Sequence, residues 1–146
     1  MAVKVISVRD EENAVTIKSE LQMLKELPHH PNLVNCMKFQ ISSEKNFYII
    51  MEYCNQGNLE KFIYDRKNDL EEEKIWFFLK QFCEGYKVLY DKSIIHRDIK
   101  PENILIHNGN FKIADFGLAK PIANVETLEN ISTKGTPLYM APEIHL

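Results

Sequence analysis

The chain reads as an α+β protein folded in two small lobes. β-branched and aromatic residues concentrate in the first third, in short runs with strand character. Helical spacing dominates the middle, from Glu71 to Tyr90. Between them, Glu52–Gly57 follows an apolar run and ends in a glycine turn, which marks a junction between the lobes.

The elements follow in order. Residues 1–8 carry Val3, Val5 and Ile6 and read as a strand. Residues 11–27 read as a helix, with Asp10 placed to cap it and Glu11 and Glu12 suited to the positive end of the helix dipole. Leu27-Pro28-His29-His30-Pro31-Asn32 breaks that helix. Strands are expected over about 33–41 and 46–53, joined by the polar turn Ser42–Lys45. Asn55-Gln56-Gly57-Asn58 turns into a short helix over about 59–66. Glu71-Glu72-Glu73 opens a longer helix whose apolar stripe is Ile75, Phe78, Leu79, Phe82, Tyr86 and Leu89. Ile104-Leu105-Ile106 and Phe111-Lys112-Ile113 flank Asn108-Gly109-Asn110, a hairpin signal because Asn and Gly accept positive φ. Residues 118–138 lack periodicity, and no repeat or low-complexity segment occurs.

Composition limits the function. With 146 residues, 45% hydrophobic and 27% charged, the chain suits one modest core or two partial lobes. A net charge of −3 gives no support for nucleic acid as a partner, and the basic cluster at Lys92–Lys100 fits phosphate handling equally well. The three cysteines, Cys36, Cys54 and Cys83, lie far apart without CxxC spacing. They read as reduced thiols rather than a disulfide or metal framework. No apolar run reaches membrane-spanning length, and no signal-peptide pattern opens the chain. The expected location is the cytoplasm, with the nucleus as alternative.

The chemistry concentrates in two places. His96-Arg97-Asp98-Ile99-Lys100-Pro101-Glu102-Asn103 sets an acid, a base and an amide within one loop. Asp115 follows the hairpin Ile104–Ile113, whose open end brings Asn103 and Asp115 back together. Two oxygen ligands suited to a hard cation thus converge beside Asp98 and Lys100. That is the requirement of phosphoryl transfer, where positioning and charge neutralisation do most of the work. Lys4 shares a strand face with Ala2 and Ile6, and Glu20 lies in the stripe Ile17, Leu21, Leu24, Leu27. On position alone, Lys4 is either an edge lysine or half of a pair, and Glu20 either a rim glutamate or its partner.

The run His96–Asn103, Asp115-Phe116-Gly117 and Ala141-Pro142-Glu143, in that order, resembles the eukaryotic protein kinase catalytic domain of the serine/threonine type. The resemblance implies a bilobal fold, with residues 1–53 from the N-terminal lobe and 54–146 from the C-terminal lobe. It implies ATP and Mg²⁺, a protein substrate, and activation by an upstream kinase or by autophosphorylation. Asp98 would act as general base or orient the hydroxyl, Lys100 would approach the γ-phosphate, and Asn103 and Asp115 would hold Mg²⁺. Lys4 would hold the α- and β-phosphates and pair with Glu20. Met51 would stand at the back of the adenine pocket, Glu52 and Cys54 would bond adenine through their backbones, and Ala2 and Leu105 would sandwich it. Asn58 would lie near the ribose. A stacked apolar spine would comprise Leu24, Met37, His96 and Phe116. Within an activation segment from Asp115 to Glu143, Arg97 and Lys120 would form a basic pocket. Ser132, or next Thr133, would accept a phosphate there, with an unmodified loop as the alternative. Thr136 would bond Asp98 and Lys100.

The resemblance covers nearly the whole chain but only the middle of a kinase: the Gly-rich loop expected before Lys4 and the helices expected after Leu146 are absent. A partial chain with an internal Met1 is therefore expected. Part of the apolar stripe on the 71–90 helix should lie uncovered, and Glu143 should lack its arginine. The alternative is an inactive nucleotide-binding or interfering fragment. A pure interaction module would leave the acid and amide cluster without purpose.

Overall fold

The computed structural model describes residues 1–7, 11–42, 46–66, 70–122 and 135–144, and the side chains within them except those of 11–16, 19, 20 and 143. A three-stranded antiparallel sheet opens the fold, with β1 (Ala2–Ser7), β2 (Cys36–Ile41) and β3 (Asn46–Met51) in the order β1-β3-β2. Alternation along β1 turns Ala2, Lys4 and Ile6 inward and Val3 and Val5 to solvent. Helix α1 (Glu11–Glu26) lays Ile17 and Leu21 against Phe47 and Ile49 of β3, forming the first core.

The second core gathers Leu33, Leu59, Leu89, Ile94, Ile104, Phe111, Ile113 and Phe116. Helix α2 (Leu59–Arg66) starts on Asn58, whose Oδ1 accepts from the Lys61 N–H at 2.9 Å. Asn58 thus caps this helix. Helix α3 (Glu72–Asp91) turns Phe78, Phe82, Val88 and Leu89 into this core. Leu89 is completely buried, which stabilises the fold by about 2 kcal/mol. Of the same stripe, Ile75, Leu79 and Tyr86 are exposed, and off it Trp76 (63%) and Tyr90 (75%) face solvent. The expected uncovered apolar surface is present.

Strands β4 (Ile94–Ile95) and β7 (Lys120–Pro121) pair antiparallel, and β5 (Ile104–His107) and β6 (Asn110–Ile113) form the expected hairpin. Asn108 and Gly109 carry its turn at φ 48° and 79°, the region that favours these residues. A buried polar node ties the 28–35 loop to α3 and the hairpin. Asn32 donates from Nδ2 to Gln81 Oε1 (3.0 Å) and to the Phe111 carbonyl (2.9 Å), while Phe111 N–H donates to Gln81 Oε1 (2.7 Å). Gly85 lets α3 approach, since a Cβ there would lie 2.6 Å from the Asn32 carbonyl oxygen.

The start and the register of β2 differ from expectation. Leu33 and Val34 are not in β2: Leu33 bridges Ile113, and Val34 N–H donates to the Ile113 carbonyl at 2.8 Å. These residues serve the link to the hairpin. The register of β2 then shifts between Cys36, paired with Met51, and Lys38, paired with Ile50. Met37 falls in the shift and is 56% exposed, so it takes no part in a stacked spine. Cys36 faces inward in its place, on the same cavity wall as Leu24 and Phe116.

Candidate active site

A cavity of about 300 Å³ lies between the sheet and the hairpin. Ala2, Val34, Ile49, Met51 and Leu105 form its apolar part, and Lys4, Glu102, Asn103 and Asp115 its polar end. Such a slot, apolar with a few convergent polar groups, suits a flat heteroaromatic group joined to an anionic tail. Gly117 keeps the polar end open, because a Cβ there would come within 3.0 Å of Lys4 Nζ and 3.2 Å of Asp115 Oδ1.

At that end Lys4 Nζ donates to Asp115 Oδ1 at 2.6 Å. Lys4 was expected to pair with Glu20, whose side chain lies outside the described residues. Burial pushes the Asp115 carboxyl upward, but the bond and charge of Lys4 outweigh it and hold the group below its usual range. Asp115 adopts φ 57°, a left-handed conformation uncommon outside glycine, and so turns from the end of β6 towards Lys4.

Asp98 is the centre of the second cluster. Its Oδ1 accepts from the Thr136 N–H (3.0 Å) and hydroxyl (2.7 Å). Its Oδ2 accepts from Asn103 Nδ2 at 2.9 Å and meets Lys100 Nζ at 3.1 Å. All four lone-pair directions of the carboxylate are therefore used. Burial raises the Asp98 carboxyl, yet the bonds from Thr136, Lys100 and Asn103 prevail and hold it below the usual carboxylate value. Lys100 Nζ also donates to Thr136 Oγ1 at 2.7 Å, the predicted three-way contact.

The network fixes the Asn103 amide. Its NH₂ donates to both the Asp98 carboxylate and the Asp98 carbonyl (2.8 Å), so that end must be nitrogen. Asn103 Oδ1 remains as an acceptor on the cavity wall, and Asp115 Oδ2 is likewise uncommitted among the described residues. Two such oxygens, one charged, fit a cation that prefers few protein ligands plus phosphate oxygens.

His96 holds the two clusters in register. It is 1% exposed, with Nε2 2.9 Å from the Ala114 carbonyl and Nδ1 accepting from the Asp98 N–H at 3.3 Å. Those partners require a neutral ring protonated on Nε2. Burial lowers its pKa against the opposing pull of Ala114, Asp115 and Asp98. Its ring packs on Phe116 at 5.2 Å. Arg97, at φ 67°, donates through Nε to the Leu118 carbonyl, while Lys120 is exposed on β7. Gly135 lies against Arg97, where a Cβ would meet its carbonyl oxygen at 2.5 Å.

The structure thus brings Ala2, Lys4, Met51, Leu105, Asn103 and Asp115 to one cavity, and Asp98, Lys100 and Thr136 to its flank. Glu52 and Cys54 do not line the cavity. The Glu52 N–H donates to the Asn35 carbonyl (3.0 Å), and its carboxylate pairs with Lys112 Nζ at 2.7 Å. The Glu52 carbonyl and Cys54 N–H have no backbone partner among the described residues. Ser132 and Thr133 lie outside those residues. The sequence reading missed Lys112; a lysine in the inward register of a hairpin strand was the available signal.

Comparison with known proteins agrees with this geometry. The protein kinase domain model matches residues 1–145. Serine/threonine-protein kinase shk2 of Schizosaccharomyces pombe is 35% identical over 99% of this chain, and human serine/threonine-protein kinase ULK1 is 36% identical over 99%. The chain covers 24% and 14% of those two proteins. Among solved structures, the yeast RNA Pol II CTD kinase CTDK-1 complex matches with a TM-score of 0.81 and 30% identity, over 97% of this chain and 45% of that one. The chain belongs to the protein kinase domain family.

Proposed function

We propose that the chain carries the catalytic centre of a serine/threonine protein kinase, moving the γ-phosphate of ATP to a Ser or Thr hydroxyl of a protein. Members of this family generally use ATP and Mg²⁺ and act on proteins. The observation that carries the proposal is the bonded cluster Asp98–Lys100–Asn103–Thr136 beside the cavity of Lys4 and Asp115.

The apolar walls formed by Ala2, Val34, Met51 and Leu105 would take the adenine, directing the phosphates to Lys4. Asn103 Oδ1 and Asp115 would hold Mg²⁺, which when bound offsets charge on the phosphates. An Asp98 carboxylate with its acceptor sites filled and its pKa held below the usual value is a poor base, which favours an orienting role over proton abstraction in the ground state. For the hydroxyl to reach Asp98, one donor must leave. Lys100 is that donor: its 3.1 Å contact with Oδ2 is the longest of the four, and moving towards the γ-phosphate would expose Oδ2 to the hydroxyl. Thr136 would keep Oδ1 fixed meanwhile. Ser132, and next Thr133, is the proposed regulatory acceptor, from its spacing to Gly135-Thr136.

Asp98→Asn tests the proposal. Labelled-phosphate transfer to a Ser/Thr peptide should fall at least ~10²-fold, with ATP binding little changed. Transfer retained by Asp98→Asn would remove the role given to this carboxylate. ATP binding without transfer by the unaltered protein would favour the inactive nucleotide-binding alternative.

A further inference from the structure

A second cavity, of about 360 Å³, opens between the end of α1, the 28–35 loop and β2. Leu27, Leu33 and Phe39 supply apolar lining in a wall that is otherwise mostly polar. Its polar side chains are unbalanced: Lys25, Lys38, His29 and His30 line it, and no aspartate or glutamate does. The chain as a whole has the opposite excess, at −3. Neither lysine has an ion pair among the described residues, where the other recorded contact is Lys25 Nζ over the Phe39 ring at 5.7 Å. Glu26, next to Lys25, is engaged with Gln22 Nε2 at 3.0 Å.

Three residues of this cavity, Leu24, Val34 and Cys36, also line the catalytic cavity. The two cavities are therefore separated by single side chains. Close-packed walls transmit displacement instead of absorbing it.

From these features we infer that this cavity docks a protein segment bearing a phosphorylated side chain beside an apolar residue, and that the docked segment alters nucleotide affinity through Leu24, Val34 and Cys36. The lysines provide charge complementarity for a dianion, and the histidine rings add hydrogen-bonding nitrogens beside them. The apolar lining of Leu27 and Phe39 takes the neighbouring side chain and separates this site from one for a free anion. Peptide docking stands independently of the proposed catalysis; the coupling half rests on nucleotide binding in the first cavity.

The test uses the blocked pentapeptide Ala-Leu-pSer-Phe-Ala, with Ser and Glu counterparts, followed by fluorescence anisotropy against the protein. The phosphopeptide should bind most tightly, and Lys25→Glu with Lys38→Glu should weaken it about tenfold or more, since both side chains lie at the surface and their change spares the core. The double alanine variant, which removes charge without reversing it, should lie between. Equal binding of the Ser counterpart, or affinity unaffected by the lysine changes, would overturn the inference. Competition by inorganic phosphate at the affinity of the peptide would also overturn it, showing a site for free anions. For coupling, ATP affinity should differ measurably with and without saturating phosphopeptide; an unchanged value would refute the shared-wall link. Failure of ATP binding without peptide would count against the proposed function and not against docking.

Discussion

Lys112→Met should destabilise the fold far more than an ordinary lysine replacement. The Lys112 and Glu52 side chains are 9% and 22% exposed, with Nζ and Oε1 2.7 Å apart. Glu52 Oε1 is buried and accepts no hydrogen bond from another group among the described residues. Lys112 Nζ has one further acceptor, the Leu33 carbonyl at 3.4 Å. Removing one member of a buried pair costs about 3–5 kcal/mol, because the other charge stays behind without compensation. Water reaching the Glu52 carboxylate reduces this, so about 2–3 kcal/mol is expected. At about 2–4 °C per kcal/mol for a chain of this size, Tm should fall by about 4–12 °C. Replacing both residues, Lys112→Met with Glu52→Leu, should recover most of the loss, since a buried pair adds little over a well-packed apolar one. Thermal unfolding followed by far-UV circular dichroism over the four-member cycle gives the coupling energy. A single-variant loss under about 1 kcal/mol, or strict additivity across the cycle, would refute the placement of a desolvated pair here.

Two further outcomes are expected. Gly135→Ala places a Cβ 2.5 Å from the Arg97 carbonyl oxygen at φ 140°, which should push Thr136 off Asp98; phosphate transfer should drop about tenfold or more while ATP affinity, measured by calorimetry, holds. Stability should fall as pH drops below the ordinary histidine value near 6.5, because the unfolded chain takes up a proton that buried His96 refuses. The slope can reach about 1.4 kcal/mol per pH unit and should flatten in His96→Phe, while the depressed Asp98 and Asp115 carboxyls add their loss only below the ordinary aspartate value near 3.8. Urea unfolding at several pH values checks both windows.

Local signals carried much of the fold. The Asn108-Gly109 turn, the inward face of β1 and the spacing of Phe78, Phe82 and Leu89 depend on neighbours in sequence, and the structure matches each. What escaped depends on long-range pairing. Leu33 and Val34 look like strand residues, but they join the hairpin and not the sheet. A one-residue shift in β2 moved the inward position from Met37 to Cys36, which no period-two pattern announces. In the site, Asp98, Lys100, Asn103 and Thr136 converge as expected because one loop and one hairpin control three of them. Lys4 was legible only as an edge lysine or half of a pair; among the described residues it meets Asp115, 111 positions away. Glu52 was read for its backbone, whereas its side chain serves Lys112 from the far side of the junction.

The account stands most directly on one measurement: labelled phosphate passing from γ-³²P-ATP to a mixed peptide pool, with and without Mg²⁺, followed by phosphoamino-acid analysis. The account predicts phosphoserine and phosphothreonine with Mg²⁺ and neither without it. Label confined to phosphotyrosine, or transfer indifferent to Mg²⁺, would contradict it.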